Sequence, residues 1–551
     1  MTKNTKRDHS HWIDQLTTDL ISNWPKITEF NCNCGISVSG QQHVGRLRGE
    51  IVLTNSVVTE IKRRGYNATH SLILYTADPW KGKEAQRKNF SNPEEAKKYT
   101  DWRLIDVPAP NNQEVSWVDY FWKAFGDPLP KFGKNIKIIR THEFYQTEAM
   151  KSTIIKLVEK KEQVRTILNK YRKEKPFPED WIPFNPLCNH CNRIGTTRAL
   201  EVDLEKYNIH YYCQACKTDD WSDMRRGKLT WRLEWLAIWY TLNIHFEPYG
   251  KDHATPGGSR DSCIDVLETV LQHPGPYGFW NEWVGYSEGK KDFGDMTSSG
   301  FIGFTPSKWL KYSETEVLKY IYLKNPPKRR IVLGLDKIPS YVAEYDKAQR
   351  IYFELEPFED SAELQAILRS YEIIFYNDVP QYRGFQLDYS HAIILSQLVS
   401  PTPEGVEKAI KKLEATEILT TPPTKEIETH IHNRLSQARN WVSDYAPPHL
   451  RINIPKQISK TIIHQIDEKM LDLILKLARN LNSIKWTEEN IKQKMISLRQ
   501  EASLTRKEMS DFFQLLYQIL LGNPQGPRFA PFIASLDKEW VIKRLNEVTP
   551  T

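Results

Sequence analysis

The chain has 551 residues, with 76 Lys and Arg against 69 Asp and Glu and a formal net charge of +7. This mixed balance excludes a histone-like polycation, and 40% hydrophobic with 11% aromatic residues excludes a disordered chain. At roughly 100 to 200 residues per domain, the length predicts about three to five domains. No stretch approaches the roughly 18 consecutive apolar residues that cross a bilayer. Since the basic residues 1–12 lack the apolar segment of a secretory signal, we expect a cytoplasmic protein with no membrane partner.

The N-terminal part has the pattern of a strand–helix–strand unit. Residues 27–36 mix β-branched and polar side chains as a strand does. Apolar residues then recur at roughly helical spacing over 47–61, and Gly65 stands where a helix C-cap is expected. The short apolar run 71–75 is typical of a buried parallel strand, so residues 27–75 predict one βαβ unit and an α/β class.

The remaining chain changes character twice. Residues 148–173 predict one long charged helix, and the prolines that follow it mark a domain edge. Residues 236–300, rich in Trp and Gly, predict loops over a sheet. After Pro306, apolar residues spaced i, i+3, i+4 with charged opposite faces predict mainly helices, most clearly in residues 315–323, 362–374, 468–481, 487–500 and 505–521.

Two CxxC pairs predict a structural zinc site. They are Cys188 with Cys191 and Cys213 with Cys216, separated by 21 residues, a spacing typical of a four-cysteine zinc ribbon or knuckle. Each CxxC turn presents two thiolates, and a structural tetrahedral Zn²⁺ needs four such ligands. Four unrelated free thiols are the alternative. Substitution by a neighbouring histidine is less favoured, because four sulfurs already close the shell.

Three further segments are candidates for nucleotide binding. The first, residues 35–46, lies between the predicted strand and helix, where free N–H groups face a bound phosphate and His43 or Arg46 could donate to it. It has the sequence GISVSGQQHVGR. Glycine-rich turns between a strand and a helix are common, however, so this segment alone is weak evidence.

The second and third candidates lie further along the chain. In residues 247–259, EPYGKDHATPGGS, Asp252 could accept from ribose hydroxyls and His253 could donate to a phosphate or carbonyl, while Gly257 and Gly258 allow close approach. Residues 296–300, MTSSG, form a hydroxyl-rich loop of the kind that closes over a triphosphate. Taken alone, residues 247–259 fit an ordinary loop equally well, and residues 296–300 fit a surface turn better.

Taken in order, these segments resemble class I lysyl-tRNA synthetase, the kind found mainly in archaea. The resemblance also includes GKLTWRLEW at residues 227–235 and FFQLLYQILLGNPQGPRFAPFIASL at residues 512–536, and it runs over most of the chain. It implies a Rossmann-type catalytic domain with a zinc-bearing insertion, followed by an all-α domain of the α-helix-cage type. The implied boundaries are 1–175 for the first half of the catalytic domain with part of the connective insertion, 176–228 for the zinc-binding module, 229–305 for the second half with the MTSSG loop, 306–375 for a stem-contact region and 376–551 for the anticodon-binding domain.

The resemblance also implies a reaction. Lysine and ATP would give lysyl-adenylate and pyrophosphate, and the lysyl group would pass to the 2′-hydroxyl of the terminal adenosine of lysine tRNA. Mg²⁺ would arrive with ATP, held mostly by phosphate oxygens; the partners would be tRNA, lysine and ATP, and not DNA. The alternative is a paralogue that binds tRNA or lysine with weak or no adenylation. A small-molecule nucleotidyltransferase is a third reading, which gives the long helical tail no task.

Residue roles follow by position from the resemblance. The implied catalytic residues are His43, Gly45, Arg46, Ser298 and Ser299; the ATP-binding residues are His43, Gly45, Gly250, Asp252, His253, Gly257, Gly258 and Met296; the lysine-binding residues are Gly35, Ser37, Trp231, His253 and Tyr277. His43 and Gly45 match the first and third residues of the HIGH-type signature, whereas Arg46 stands where the family usually has Asn. Glu50, Asp78 and Glu234 are equal candidates for the group that reads the lysine ammonium.

The second signature departs from the family's pattern, KMSKS, whose lysines offset charge on the triphosphate. Asp295 stands in place of the first lysine and Ser298 in place of the second, and Gly300 supplies no cation just beyond. The missing charge could come from Lys290, Lys291 or Lys308, or the variant loop could mark reduced activity.

Overall fold

The structure is a computed structural model that describes residues 11–376, 378–381 and 384–549. Most of the N-terminal segment that supported the cytoplasmic prediction, residues 1–10, lies outside them. Two compact units divide the chain: one runs up to Trp309 and includes Glu314–Gly334 and Glu354–Val379, and the other comprises Leu310–Ser313, Leu335–Phe353 and the chain from Pro380. Within the described ranges, every helix is too short or too polar to cross a membrane.

The first unit begins with the predicted strand–helix–strand arrangement. Its elements are α1 (Trp12–Asn23), β1 (Glu29–Ile36), a π-helical segment (Leu47–Leu53), α2 (Thr54–Arg63) and β2 (Asn67–Leu74). Strands β1 and β2 are parallel and in register over their full length, which confirms the βαβ unit. Gly65, just after α2, has a φ of +91°, the left-handed conformation predicted for that position.

A mixed segment leads from β2 to the insertion. Its elements are α3 (Glu84–Arg87), a 3₁₀ turn (Glu95–Tyr99), β3 (Pro108–Ala109), β4 (Asn112–Ser116), α4 (Trp117–Gly126), α5 (Leu129–Phe132), β5 (Ile136–Arg140), α6 (Thr141–Phe144), α7 (Glu148–Glu159) and α8 (Lys161–Lys170). The prediction of one helix over 148–173 is wrong. Lys160, at φ −94° and ψ 20°, separates α7 from α8, and the turn lets Val158 and Val164 both bury their side chains in one core.

The insertion and the second half of the sheet follow. They contain β6 (Phe184–Asn185), β7 (Thr197–Asp203), β8 (Asn208–Cys213), β9 (Thr218–Asp223), a 3₁₀ turn (Met224–Arg226), β10 (Lys228–Leu229), α9 (Trp231–Thr241), β11 (Tyr249–Gly250), a 3₁₀ turn (Lys251–His253), α10 (Ser259–Val270), β12 (Trp280–Asn281), β13 (Val284–Glu288), β14 (Lys291–Asp295), α11 (Pro306–Trp309), α12 (Thr315–Lys324) and β15 (Ile331–Leu333). Much of residues 236–300 was predicted to be loops over a sheet, and this prediction missed α10 and the end of α9. Residues 233–239 of α9 are all buried, so the helix has no polar face to reveal its period.

The order of the parallel strands determines where a ligand can bind. In the sheet, β5 lies next to β2 and β2 next to β1; Phe246 then pairs in parallel with Cys32 of β1, and Tyr277 pairs in parallel with Phe246. Numbered along the chain, this order is 3-2-1-4-5, as in a Rossmann fold. The order reverses between β1 and the segment at Phe246, and a crevice at such a point, beyond the carboxyl ends of the strands, is where these sheets bind ligands.

The rest of the described chain is helical, as predicted. It contains a 3₁₀ turn (Leu335–Lys337), α13 (Ile338–Tyr352), α14 (Ser361–Ile374), α15 (Tyr389–Leu398), α16 (Pro403–Ala415), α17 (Lys425–Tyr445), a 3₁₀ turn (Pro448–Leu450), α18 (Lys460–His464), α19 (Glu468–Asn482), α20 (Glu488–Glu501), α21 (Arg506–Leu521), α22 (Phe529–Ser535) and α23 (Lys538–Asn546). Helix α14 belongs to the first unit. In the second unit, the apolar faces of α19 to α23 enclose one core around Leu477, Phe512, Leu516 and Phe532.

Candidate active site

One cleft opens where the strand order reverses. Its volume is about 510 Å³, and its walls come from the end of β1, the turn and helix that follow, the start of α9, the segment after Phe246, and the loop after β14. The two distant glycine-containing stretches, at His43 to Gly45 and at Gly250 to His253, both line it. The residues assigned by resemblance that line the cleft are Gly35, Ser37, His43, Gly45, Arg46, Trp231, Gly250, Asp252, His253, Met296, Ser298 and Ser299.

Three residues assigned by resemblance lie outside this lining. Gly257, at φ +71°, and Gly258 form the turn before α10, where the N–H of Gly257 donates to the Asp261 carboxylate at 2.8 Å. Tyr277 supports the cleft through its backbone: its carbonyl accepts from the N–H of Glu247 at 3.0 Å. Its side chain is not part of the cleft wall.

His43 is buried and stands at the start of the helical segment. Its Nδ1 has no hydrogen-bond partner among the described side chains and backbone. Burial, with a smaller effect of Arg46, lowers the pKa of His43 to about 3, so the ring is neutral near pH 7 and can donate one hydrogen bond. A Cβ at Gly45 would lie 2.9 Å from His43 Nδ1, which is why this position needs glycine.

Arg46 and Glu50 form an ion pair on the next turn. Arg46 Nη1 lies 2.9 Å from Glu50 Oε1, and both residues line the cleft. Burial raises the pKa of Glu50, although Arg46 opposes the shift. The backbone carbonyl of Glu50 also contacts His70 Nε2 at 3.1 Å, which links this turn to strand β2.

The opposite wall is formed by a 3₁₀ turn and an aromatic row. The rings of Trp231 and Trp235 stack at 6.0 Å between centroids, and His253 lies 5.1 Å from Trp235. His253 Nε2 is 3.5 Å from an Asp252 carboxylate oxygen, and burial lowers the pKa of His253. At Gly250, a Cβ would lie 2.5 Å from Asp252 Oδ1, so a larger residue there would displace this carboxylate.

One end of the cleft carries a buried network of charges. Lys228 forms ion pairs with Asp78 and with Glu234, the latter at 2.7 Å, and Ser37 Oγ donates to Asp78 Oδ2 at 2.8 Å. Burial by itself lowers the pKa of Lys228, but Asp78 and Glu234 outweigh it, so the pKa rises and the amine stays charged. Two of the three candidate carboxylates thus share one internal cation.

Glu247 is a buried carboxylate of the cleft that the sequence argument did not assign. The indoles of Trp235 and Trp239 donate to it at 2.7 and 2.8 Å, and Asn33 Nδ2 donates at 2.6 Å. Burial raises the pKa of Glu247. The one available signal was its place as the first residue of the EPYG segment, directly after the apolar residue Phe246.

The loop at residues 296–300 packs against the turn after β1. Ser298 Oγ donates to Gln42 Oε1 at 3.3 Å, and a Cβ at Gly40 would lie 2.4 Å from the Ser298 carbonyl. Asp295 is paired with Arg330 at 3.0 Å. The three lysines proposed as substitutes, Lys290, Lys291 and Lys308, line neither the cleft nor the cavity beside it.

The four cysteines of the CxxC pairs form one cluster. Their sulfur atoms all lie within 4.8 Å of one another; one CxxC turn precedes β7, and the other connects β8 to β9 in the antiparallel sheet β7-β8-β9. The left-handed residues Asn192 and Lys217, at φ 58° and 61°, let each turn fold back after its second cysteine. Four thiolates at this spacing match the donor set and geometry of a tetrahedral zinc site.

A second cavity, of about 590 Å³, lies in the helical second unit. Its polar and aromatic lining comes mainly from α20, α21 and the loop after α21 and includes His449, Arg499, Arg506, Phe513, Gln514, Tyr517 and Gln525. Tyr517 is fixed by its hydroxyl, which donates to the Pro527 carbonyl. Cations beside aromatic rings and amides are the groups that bind an unpaired nucleotide.

A Rossmann sheet with a HIGH-like turn in its ligand crevice, in a chain that continues into a helical unit, defines a class I aminoacyl-tRNA synthetase. The family model described as tRNA synthetases class I (K) matches residues 10–374, and the model described as anticodon binding domain matches residues 447–549. The chain belongs to the class I lysyl-tRNA synthetase family.

Curated relatives that align over nearly their whole length support this assignment. The chain is 38% identical to the lysine–tRNA ligase of Aeropyrum pernix, over 98% of this chain and 97% of the relative. It is 29% identical to that of Methanosphaera stadtmanae and 28% identical to that of Methanocaldococcus jannaschii, each over 97% of this chain and 99% of the relative.

Proposed function

We propose that this chain activates lysine with ATP and transfers it to the 2′-hydroxyl of the terminal adenosine of lysine tRNA. The observation that carries the proposal is the meeting of the His43–Gly45 turn and the Gly250–His253 turn in one crevice at the point where the strand order reverses. Family membership and the relatives' names support the same reaction. The substrates are therefore ATP, lysine and tRNA.

ATP would lie across the two turns. Neutral His43 and the free N–H groups at the start of the helical segment suit the phosphates, and Gly45 lets them approach the backbone. Asp252, half exposed on the opposite turn, suits the ribose hydroxyls. Mg²⁺ would arrive with ATP and be held mostly by phosphate oxygens.

Lysine would occupy the end of the cleft between Trp231 and the charge network. Its aliphatic stem can pack on the exposed ring of Trp231, and its α-ammonium and carboxylate would face the end of β1 at Gly35 and Ser37. Asp78 and Glu234 carry two negative charges against the single positive charge of Lys228. Since buried charge must be compensated, the remaining negative charge favours an incoming ε-ammonium.

We propose that the cysteine cluster holds a structural Zn²⁺ through Cys188, Cys191, Cys213 and Cys216. A closed shell of four thiolates leaves no open position for catalysis, so the ion would tie the two turns together. The reducing cytoplasm predicted from the sequence would keep these thiolates available.

We propose that the chain has the domain boundaries expected from the family resemblance. The synthetase match ends at residue 374, beside the predicted boundary at 375, and the anticodon-binding match lies inside the predicted domain 376–551. Residues 306–375 would then contact the acceptor stem.

We infer that the cavity between α20 and α21 accepts an anticodon base. Phe513 and Tyr517 offer ring faces for stacking, and Arg499 and Arg506 suit the flanking phosphates. An Arg506→Ala variant should raise the KM for tRNA severalfold and leave ATP–pyrophosphate exchange unchanged. Lys507→Ala removes a neighbouring charge outside the cavity and should leave both unchanged; equal effects of the two variants would contradict the assignment.

Lysine-dependent ATP–pyrophosphate exchange tests the reaction itself. The assay covers all twenty amino acids, with and without tRNA, and we expect exchange with lysine alone among them. Exchange with another amino acid would refute the specificity. The absence of exchange even with tRNA present would favour a paralogue that binds its ligands without adenylation.

A further inference from the structure

The cleft contains few cations for a site that must hold a triphosphate. The loop at residues 296–300 has no lysine, and the cation beside it, Arg330, is paired with Asp295. Lys251 is paired with Glu282 at 2.5 Å, and Arg46 with Glu50 at 2.9 Å. The charge that the loop lysines supply in the family's usual signature must therefore come from another segment of the chain.

One lysine from a distant segment contacts the loop. Lys83, which immediately precedes α3, places its Nζ 3.1 Å from Ser299 Oγ. Ser299 lines the cleft, so this ammonium stands at the mouth of the site, beside the hydroxyl-rich loop. Lys83 lies 216 positions before Ser299, and the contact was not visible in the sequence.

The backbone of Lys83 is held in place by a buried side chain. Gln86 is 1% exposed; its Oε1 accepts from the N–H of Lys83 at 2.9 Å, and its Nε2 donates to the Ser39 carbonyl at 2.8 Å. Ser39 lines the cleft as well. The lysine is therefore anchored to the same turn against which the loop packs, while its side chain stays exposed and able to move.

The surroundings of Lys83 are positively charged. A cavity of about 580 Å³ adjoins the cleft and shares Ser37, Ser39, Asp78, Trp231 and Ser299 with it, and its charged lining consists of Asp78, Lys81, Lys83, Arg172, Lys228 and Arg232. Lys228 is neutralised by its carboxylates, and the guanidiniums of Arg172 and Arg232 lie over the rings of Phe177 and Trp231. Among the described residues, Lys83 makes its one side-chain polar contact with Ser299 and forms no ion pair.

We propose that Lys83 binds the β- and γ-phosphates of ATP and supplies the charge that the loop lacks. In the reaction, a carboxylate oxygen of the substrate lysine forms a bond to the α-phosphorus of ATP. The bond from that phosphorus to the oxygen that bridges it to the β-phosphate breaks. Pyrophosphate leaves with the electron pair, and Lys83 offsets the negative charge that develops on it. This inference rests on the proposed function, because it assigns a group to the same adenylation step.

The test compares three single variants in lysine-dependent exchange. We expect Lys83→Ala to lower kcat/KM for ATP about 100-fold, as loss of one contact to transition-state charge does, and Lys83→Arg to retain most of it. Lys88→Ala is the matched control: it removes the same charge just after α3, from a residue paired with Glu84 at 2.6 Å, and should leave exchange unchanged.

A double variant that moves the positive charge from position 83 to position 299 makes the test specific. In Lys83→Ser/Ser299→Lys, the lysine moves onto the loop at the contact itself, and we expect exchange to recover at least tenfold over Lys83→Ala. Thermal unfolding of each variant should match the starting protein, since Lys83 is exposed.

Undiminished exchange in Lys83→Ala would overturn the proposal. If transfer onto tRNA were nevertheless lost in that variant, Lys83 would instead be assigned to the RNA 3′ end. The unsubstituted protein is assayed first, so a failure of the proposed function appears there as missing exchange, independently of Lys83.

Discussion

At the residue scale, the cleft depends on positions where backbone passes close to a ring or a carboxylate. A Cβ at Gly35 would lie 2.6 Å from the ring of Tyr75, and one at Gly45 would lie 2.9 Å from His43 Nδ1. Neither glycine is at positive φ, so their role is to leave space and not to relieve backbone strain. The signature glycine at position 45 thus sets the position of the signature histidine.

Gly45→Ala should therefore impair adenylation through His43. The added methyl group must displace the imidazole by several tenths of an ångström, and a misplacement of about 1 Å costs roughly 100-fold in rate. We therefore expect exchange to fall roughly tenfold while the protein still folds. Gly384→Ala, at a position where no atom of the described residues lies within 4 Å of the added Cβ, is the control and should match the starting protein. Normal exchange in Gly45→Ala would show that adenylation does not depend on the position of the His43 ring.

At the element scale, the cysteine end of the insertion has very little core of its own, whereas Ala199 and Ile209 of the same sheet are buried in the larger core of the first unit. The buried residues of its cysteine cluster are Cys188, Tyr211 and Cys213, with Cys191 and Cys216 partly buried against them. Burial of so few side chains contributes little stability at the cysteine turns, so these two turns need another tie. A metal ion closing the two turns would supply it.

Cys191→Ser should abolish zinc binding. A hydroxyl is a poor substitute for a thiolate, and losing one of four ligands opens the shell. We expect the zinc content, measured by mass spectrometry, to fall from about one ion per chain to near zero, with earlier thermal unfolding. His190→Ala changes an exposed residue on the same turn that contacts Asp220, and should keep the metal. Full zinc content in Cys191→Ser would refute the four-thiolate assignment.

At the scale of the whole molecule, buried histidines link stability to pH in both units. Burial lowers the pKa of His11, His70 and His245 in the first unit, and of His391 in the second, to about 4. The unfolded chain binds these protons near pH 6.5. Between pH 6.5 and 4 the unfolded state therefore holds more protons than the folded state, and stability falls as the pH falls.

His70 offers a direct measurement of this effect. Its Nδ1 contacts the Asn55 amide at 3.1 Å and its Nε2 the Glu50 carbonyl, an arrangement that suits the neutral ring. We expect His70→Gln to reduce the loss of unfolding free energy between pH 7 and pH 4.5 by about 2 kcal/mol, measured by urea denaturation. His432→Gln, at an exposed position of α17, should retain the full loss. An unchanged pH dependence in His70→Gln would contradict the assigned shift.

The local sequence pattern was sufficient to predict a feature when that feature lies within one or two neighbouring elements. The βαβ unit, the amphipathic helices α12, α14, α19, α20 and α21, and the two CxxC turns were all predicted from spacing. The pattern failed at α9, whose residues 233–239 are all buried, and at Lys160, where packing of both flanking helices decided the break.

The sequence by itself determined the order of the signature segments, and with it the family, the fold class and the residues expected at the cleft. The tertiary structure alone brought Lys228 against Asp78 and Glu234, and Lys83 against Ser299. The physical reason is that contacts between distant positions depend on the path of the chain. Residue type shows that a carboxylate needs a cation, but only the path shows which cation reaches it.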